Sequence, residues 1–143
     1  MSTYSLQEKP GLVQAIAVLT LISGVVNILW GILASVAVMA TLIGIICVPV
    51  TILPTILGIF EVIYATRLLS TPPRAMRPST TIAALEIACI LTGNVFSSLA
   101  GILVLVFYND PVVQEYFQRL NAPATPVEPP PAPPEPIPPR KVA

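Results

Sequence analysis

The sequence predicts an all-α integral membrane protein: a bundle of three transmembrane helices, a short amphipathic helix and a proline-rich tail. Three observations predict it. Apolar residues make up 55% of the 143 residues and charged residues only 10%, against about 25% charged in a soluble domain. Mean hydropathy is +0.84, so a water-facing surface could not be clothed and lipid is the expected solvent. Between Gly11 and Ser70 the only formal charges are Glu61 and Arg67, in a stretch long enough for two spans of ~20 residues each.

The elements follow in order. Residues 1–10 form a polar N-terminus with Glu8 and Lys9. The apolar run after it is far longer than the roughly 7–15 residues of a signal-peptide core, so the first helix is expected to be retained. Span one covers about 11–42 and is long enough to tilt. Proline ends or kinks a helix at the residue before it. Pro49 and Pro54, preceded by Gly44, therefore predict a hydrophobic turn over 43–51 and a second span over about 52–69. A four-span division, with 34–53 as a separate helix, has no polar residue to turn the chain near Leu33 and splits the basic sites between two sides; three spans are preferred.

Residues 70–79, Ser-Thr-Pro-Pro-Arg-Ala-Met-Arg-Pro-Ser, form a basic proline-rich loop. Span three covers about 80–108, capped by Ser79 or Thr80, which closes a transmembrane domain over 11–108. Asn109-Asp110-Pro111 then restarts the chain, because Asp110 suits an N-cap and Pro111 a first helical position. The helix within 109–120 carries Val112, Val113, Tyr116, Phe117 and Leu120 on one face and Gln114, Glu115 and Gln118 mainly on the other, the pattern of an interfacial helix. Residues 121–143 are a low-complexity proline tract, expected to be disordered or polyproline II.

Lysine and arginine near span ends mark the cytoplasmic side. Lys9, Arg67, Arg74 and Arg77 fall on one side of a three-span bundle. That places the chain in the cell membrane as a multi-pass protein, with its N-terminus cytoplasmic and its tail outside.

Each span carries one stripe of small and polar residues at about 100° per residue. Span one aligns Gln14, Ala17, Thr20, Gly24, Asn27, Gly31 and Ser35; span two aligns Pro54, Gly58, Glu61, Ala65 and Leu68; span three aligns Glu86, Cys89, Gly93, Ser97 and Gly101, with Asn94 beside them. Cys89-Gly93-Ser97-Gly101 is a ladder of small residues every fourth position, which lets backbones approach closely. Helix packing is thus expected at Gly24, Asn27, Gly31, Gly58, Gly93, Ser97 and Gly101, with Val95 and Val104 facing lipid. Trp30, the single tryptophan, is expected to pack or to approach the outer interface.

Glu61 lies six residues before Arg67, and Glu86 seven after Ser79. Both carboxyls then sit at a similar depth, about 9–10 Å from the helix ends. Asn27 and Asn94 match at a deeper level. Intramembrane acids mark ion and proton paths, so Glu61 and Glu86 are a candidate proton or ion pair. The structural alternative is protonated glutamates bonding across helices, or Glu61 reaching Arg67 or Tyr64.

Several function classes are disfavoured. There is no histidine, the commonest catalytic base and metal ligand. Cys47 and Cys89 both lie in apolar runs, where cysteine acts as a small hydrophobe rather than as a disulfide or zinc ligand. No nucleophile–base pair or metal set is visible, so no catalytic residue, metal or cofactor is assigned and an enzyme is not expected. No basic stripe exists for nucleic acid.

The phrases Leu21-Ile-Ser-Gly-Val-Val-Asn-Ile-Leu-Trp-Gly31, Gly58-Ile-Phe-Glu-Val-Ile-Tyr64 and Asn109-Asp-Pro-Val-Val-Gln-Glu-Tyr-Phe117 give residues 12–117 a look similar to small multi-span bacterial membrane proteins of unassigned function. The layout also resembles the first three helices of the CD20-like four-span proteins. Neither resemblance implies an activity. The expected function is a non-catalytic accessory or scaffold subunit of a larger membrane complex. Its expected partners are the lipid bilayer, other membrane subunits or a second copy of itself, and a protein that grips the proline-rich tail. The alternative is a small proton- or cation-translocating component using Glu61 and Glu86.

Overall fold

The computed structural model describes residues 9–41 and 44–122. The expectations for the extreme N-terminus, for Leu42 and for the tail beyond Ala122 fall outside the described residues. Among the described residues the chain is all helical: α1 (Gly11–Met39), α2 (Gly44–Thr51), α3 (Leu53–Leu69), α4 (Thr80–Ala88), a 3-10 turn (Cys89–Thr92), α5 (Val95–Tyr108) and α6 (Pro111–Leu120). Two helical runs are long and apolar enough to cross a membrane: α1, with 29 residues, and Gly44–Leu69, with 26.

The first difference from the sequence reading is the segment 43–51. The turn comes earlier, where Ala40 closes α1. Thr41 Oγ1 donates to the Val38 carbonyl at 3.0 Å and accepts from Gly44 N–H at 2.9 Å. A Cβ on Gly44 would fall 1.6 Å from the Val38 oxygen, so only glycine fits. Residues 44–51 are already helical, with Pro49 inside the helix. Proline removes one backbone donor, the one that residue 49 would give to the Ile45 carbonyl, and the helix continues without it; two residues on, Thr51 Oγ1 donates to the Val48 carbonyl at 3.1 Å and meets Ser35 Oγ at 3.1 Å. Pro54 sits in the first turn of α3, where its missing N–H costs least.

The second difference is larger. The expected third span, 80–108, is not one helix but a helical hairpin. Ser79 Oγ accepts from Ile82 N–H and caps α4. The helix tightens into the 3-10 turn and ends at Gly93, whose φ of +81° is left-handed, the backbone state that glycine enters at least cost. Asn94 restarts the helix by accepting from Ser97 N–H at 3.2 Å. α5 then runs back along α4. A Cβ on Gly101 would lie 2.6 Å from the Ala83 carbonyl oxygen and 2.7 Å from Glu86 Cβ. At the open end Tyr108 Oη meets Tyr64 Oη at 2.9 Å, and both accept from Ser79 N–H. The tip reaches Trp30, whose Nε1 donates to the Thr92 carbonyl at 3.1 Å. α1 continues past that level to Met39, about 13 Å further. An apolar groove of about 360 Å³, lined by Val50, Leu53, Phe60, Leu85 and Leu91 among others, lies beside the short hairpin arm.

The hairpin changes where the chain leaves the bundle. The expected third crossing puts the residues after it at the end of the bundle opposite Lys9; instead Lys9 and Asn121 lie at the same end. Lys9 Nζ donates to the Ser70 carbonyl at 2.6 Å, and Asn121 Nδ2 to the Met76 carbonyl at 2.9 Å. After α5 the chain bends by 76° into α6, with Asp110 as N-cap and Pro111 in the first turn. Val113 and Phe117 of α6 close a core with Val13, Ile16, Ala17, Leu68, Ala83, Val104 and Tyr108. Val104 therefore does not face lipid: it is three residues after Gly101 and shares its inward face.

Candidate functional site: a buried polar cluster

The stripes of α1 and α3 converge on one polar cluster, joined by residues from both hairpin arms. α1 contributes Ser23 and Asn27, α3 Glu61, α4 Glu86, and α5 Ser97 with its N-cap Asn94; none is more than 3% exposed. Glycine makes room for them. A Cβ on Gly24 would lie 2.9 Å from Glu61 Cβ and from the Gly58 oxygen, and one on Gly58 would lie 2.4 Å from the Gly24 oxygen. Gly31 abuts Thr55, whose backbone nitrogen would be 2.7 Å from an added Cβ. Gly101 gives the same close approach to the stem of Glu86. Gly93 belongs to no such contact: it ends a helix and faces the Trp30 ring at 3.5 Å, so the ladder expected on span three is divided between two arms.

The polar atoms form a chain. Ser97 N–H donates to Asn94 Oδ1, Asn94 Nδ2 to Asn27 Oδ1 at 2.7 Å, and Asn27 Nδ2 to Glu61 Oε1 and Oε2 at 2.9 and 3.0 Å. Ser23 Oγ and Ser97 Oγ meet at 2.7 Å. The Glu86 carboxyl is turned toward Glu61 and Ser23, yet neither of its oxygens reaches hydrogen-bonding geometry with any group. Glu61 pairs with neither Arg67 nor Tyr64; Tyr64 is held by Tyr108 instead.

Glu61, Glu86, Asn27 and Asn94 thus stand together, with Gly24, Gly58 and Gly101 at their stems. The sequence reading did not single out Ser23. Its signal was available, since it lies four residues before Asn27 and so shares its face. The partnership of Tyr64 with Tyr108 had no signal while 80–108 read as one helix.

Among the described residues no group of three or more histidine, cysteine, aspartate or glutamate side chains could hold a metal ion. Chemically the cluster is two facing carboxyls with directed donors on one of them. No protein-family model, curated protein or solved structure matches the chain.

Proposed function

We propose that the chain is a non-catalytic accessory or scaffold subunit of a membrane assembly. α1 and the α2–α3 arm anchor it, and the α4–α5 hairpin dips into the bilayer and returns. The observation that carries this reading is the gathering, among the described residues, of Lys9, the arginine loop and α6 at one end. There the Lys9–Ser70 and Asn121–Met76 contacts bring the N-terminus, the arginine loop and α6 side by side. The hairpin arms, of 9 plus 4 and of 14 residues, are each only about 20 Å long, short of a hydrocarbon core of about 30 Å. Lys9, Arg67, Arg74 and Arg77 make this end the cytoplasmic one. The tail then emerges in the cytoplasm, where an aromatic-lined groove on a partner would take it as polyproline II. The aliphatic outer surface serves lipid, other membrane subunits or a second copy.

Purification from native membranes in mild detergent tests the proposal. The full chain should bring a stoichiometric partner, and a chain ending at Ala122 should lose it while remaining inserted. A full chain that purifies alone would end the scaffold reading.

A second reading has its own support. The buried Glu86 carboxyl, without a hydrogen-bond partner, favours proton or cation translocation through Glu61 and Glu86. Its test is pH- or ion-driven flux in proteoliposomes, which should vanish when both are changed to glutamine.

A further inference from the structure

The hydrogen bonds of the buried cluster run in one direction, and that direction identifies what the cluster holds. Ser97 N–H is a backbone donor with no capacity to accept. Asn94 must therefore turn its Oδ1 to it, at 3.2 Å. This leaves Asn94 Nδ2 to donate to Asn27 Oδ1, and Asn27 Nδ2 to donate to Glu61. Amide orientation is ambiguous for an isolated asparagine, but here one backbone N–H fixes both. Asn27 Nδ2 is almost equidistant from the two Glu61 oxygens, at 2.9 and 3.0 Å. It occupies the position a chelated cation would take, with its N–H hydrogens pointed at the carboxyl.

Glu61 is thus addressed as an acceptor. Glu86 is fully buried, and neither of its oxygens makes a hydrogen bond of good geometry, although the Ser23 hydroxyl and the Glu61 carboxyl stand beside it. Ionised, it would be an uncompensated charge beside a second carboxylate, the arrangement that proteins avoid most strongly. Carrying a proton, it is a neutral donor beside an acceptor, the neighbouring Glu61 carboxyl.

We propose that Glu61 and Glu86 form a proton-binding pair that holds one proton, resident on Glu86 and directed at Glu61, and that a proton rather than a metal cation is the ligand of this core. The inference uses the site of the second functional reading but not its transport: a resident proton is detectable whether or not flux occurs.

Infrared spectroscopy of the full chain in lipid nanodiscs at neutral pH tests it, with carbon-13 glutamate to assign the carbonyl bands. The wild type should show one buried, protonated glutamate carbonyl. Glu86→Gln should abolish that band, and Glu61→Gln should keep it. No such band in the wild type, two bands, or loss in Glu61→Gln with retention in Glu86→Gln would overturn the assignment. The wild-type spectrum alone decides the number of protons if a variant fails to fold. A wild-type thermal midpoint raised by sodium or potassium, and no longer raised in the double glutamine variant, would show a cation site and overturn the proposal as well.

Discussion

A single methyl group tests the close approaches in the core. At Gly58 it would fall 2.4 Å from the Gly24 oxygen, and at Gly101 2.6 Å from the Ala83 oxygen, both backbone atoms that cannot swing away. Gly58→Ala and Gly101→Ala should each lower the thermal midpoint in detergent, with the ~1–3 kcal/mol typical of overpacking. Leu99→Ala, on a side chain turned outward, should be nearly silent. Equal shifts in all three would mean these glycines are not at helix contacts. Gly93 fails differently: an added Cβ meets only Trp30 at 3.5 Å, but the φ of +81° is strained for any L-residue. Gly93→Val should destabilise and Gly93→Asn much less, because asparagine tolerates the left-handed state; similar effects would argue against that backbone conformation. At this scale much was legible. Small and polar residues three or four apart marked the inward faces of α1 and α3, where Ala17, Thr20, Gly24, Asn27 and Gly31 are buried, as are Pro54, Gly58, Glu61, Ala65 and Leu68; Gln14, at the start of the α1 stripe, is exposed instead. Val104 was misread because its size suggested lipid, although its spacing from Gly101 set its direction.

The α4–α5 hairpin makes the boldest claim at the scale of elements. Spin labels at Thr81 and Asn109 would lie ~42 Å apart on a continuous helix. The hairpin brings the two ends together, with Tyr108 Oη 3.4 Å from Ser79 N. Dipolar spectroscopy in nanodiscs should therefore return a short distance; one near the continuous-helix value would remove the hairpin. The sequence carried the ingredients of this turn in Gly93-Asn94, a helix stop followed by an N-cap. They were ambiguous because glycine is also the residue that lets transmembrane helices pack, and, Thr92 apart, apolar residues flank the pair on both sides. Pro49 was ambiguous in the opposite sense. It reads as a breaker, yet the helix passes through it, losing only the backbone bond that its missing N–H would make. α6 was plain from Asp110-Pro111 and its two-faced pattern, although Val113 and Phe117 pack onto the bundle end while Val112 remains exposed.

At the scale of the whole molecule, one turn decides at which end of the bundle α6 lies. Counting hydrophobic runs yields the number of apolar segments but not whether each one crosses, so the side of the C-terminal segment was not readable from composition. In the proposed orientation the arginines stand at the cytoplasmic end whichever way the third segment runs. The central claim is that this segment returns to the side it came from, gathering Lys9, the arginine loop and α6 at one end. An impermeant thiol reagent tests it most directly, on single cysteines at Ala75 and Ala122 in a background with Cys47 and Cys89 changed to serine. Both positions should be shielded in intact cells and both should react in inside-out vesicles. Labelling of Ala122→Cys from outside while Ala75→Cys stays protected would contradict the account.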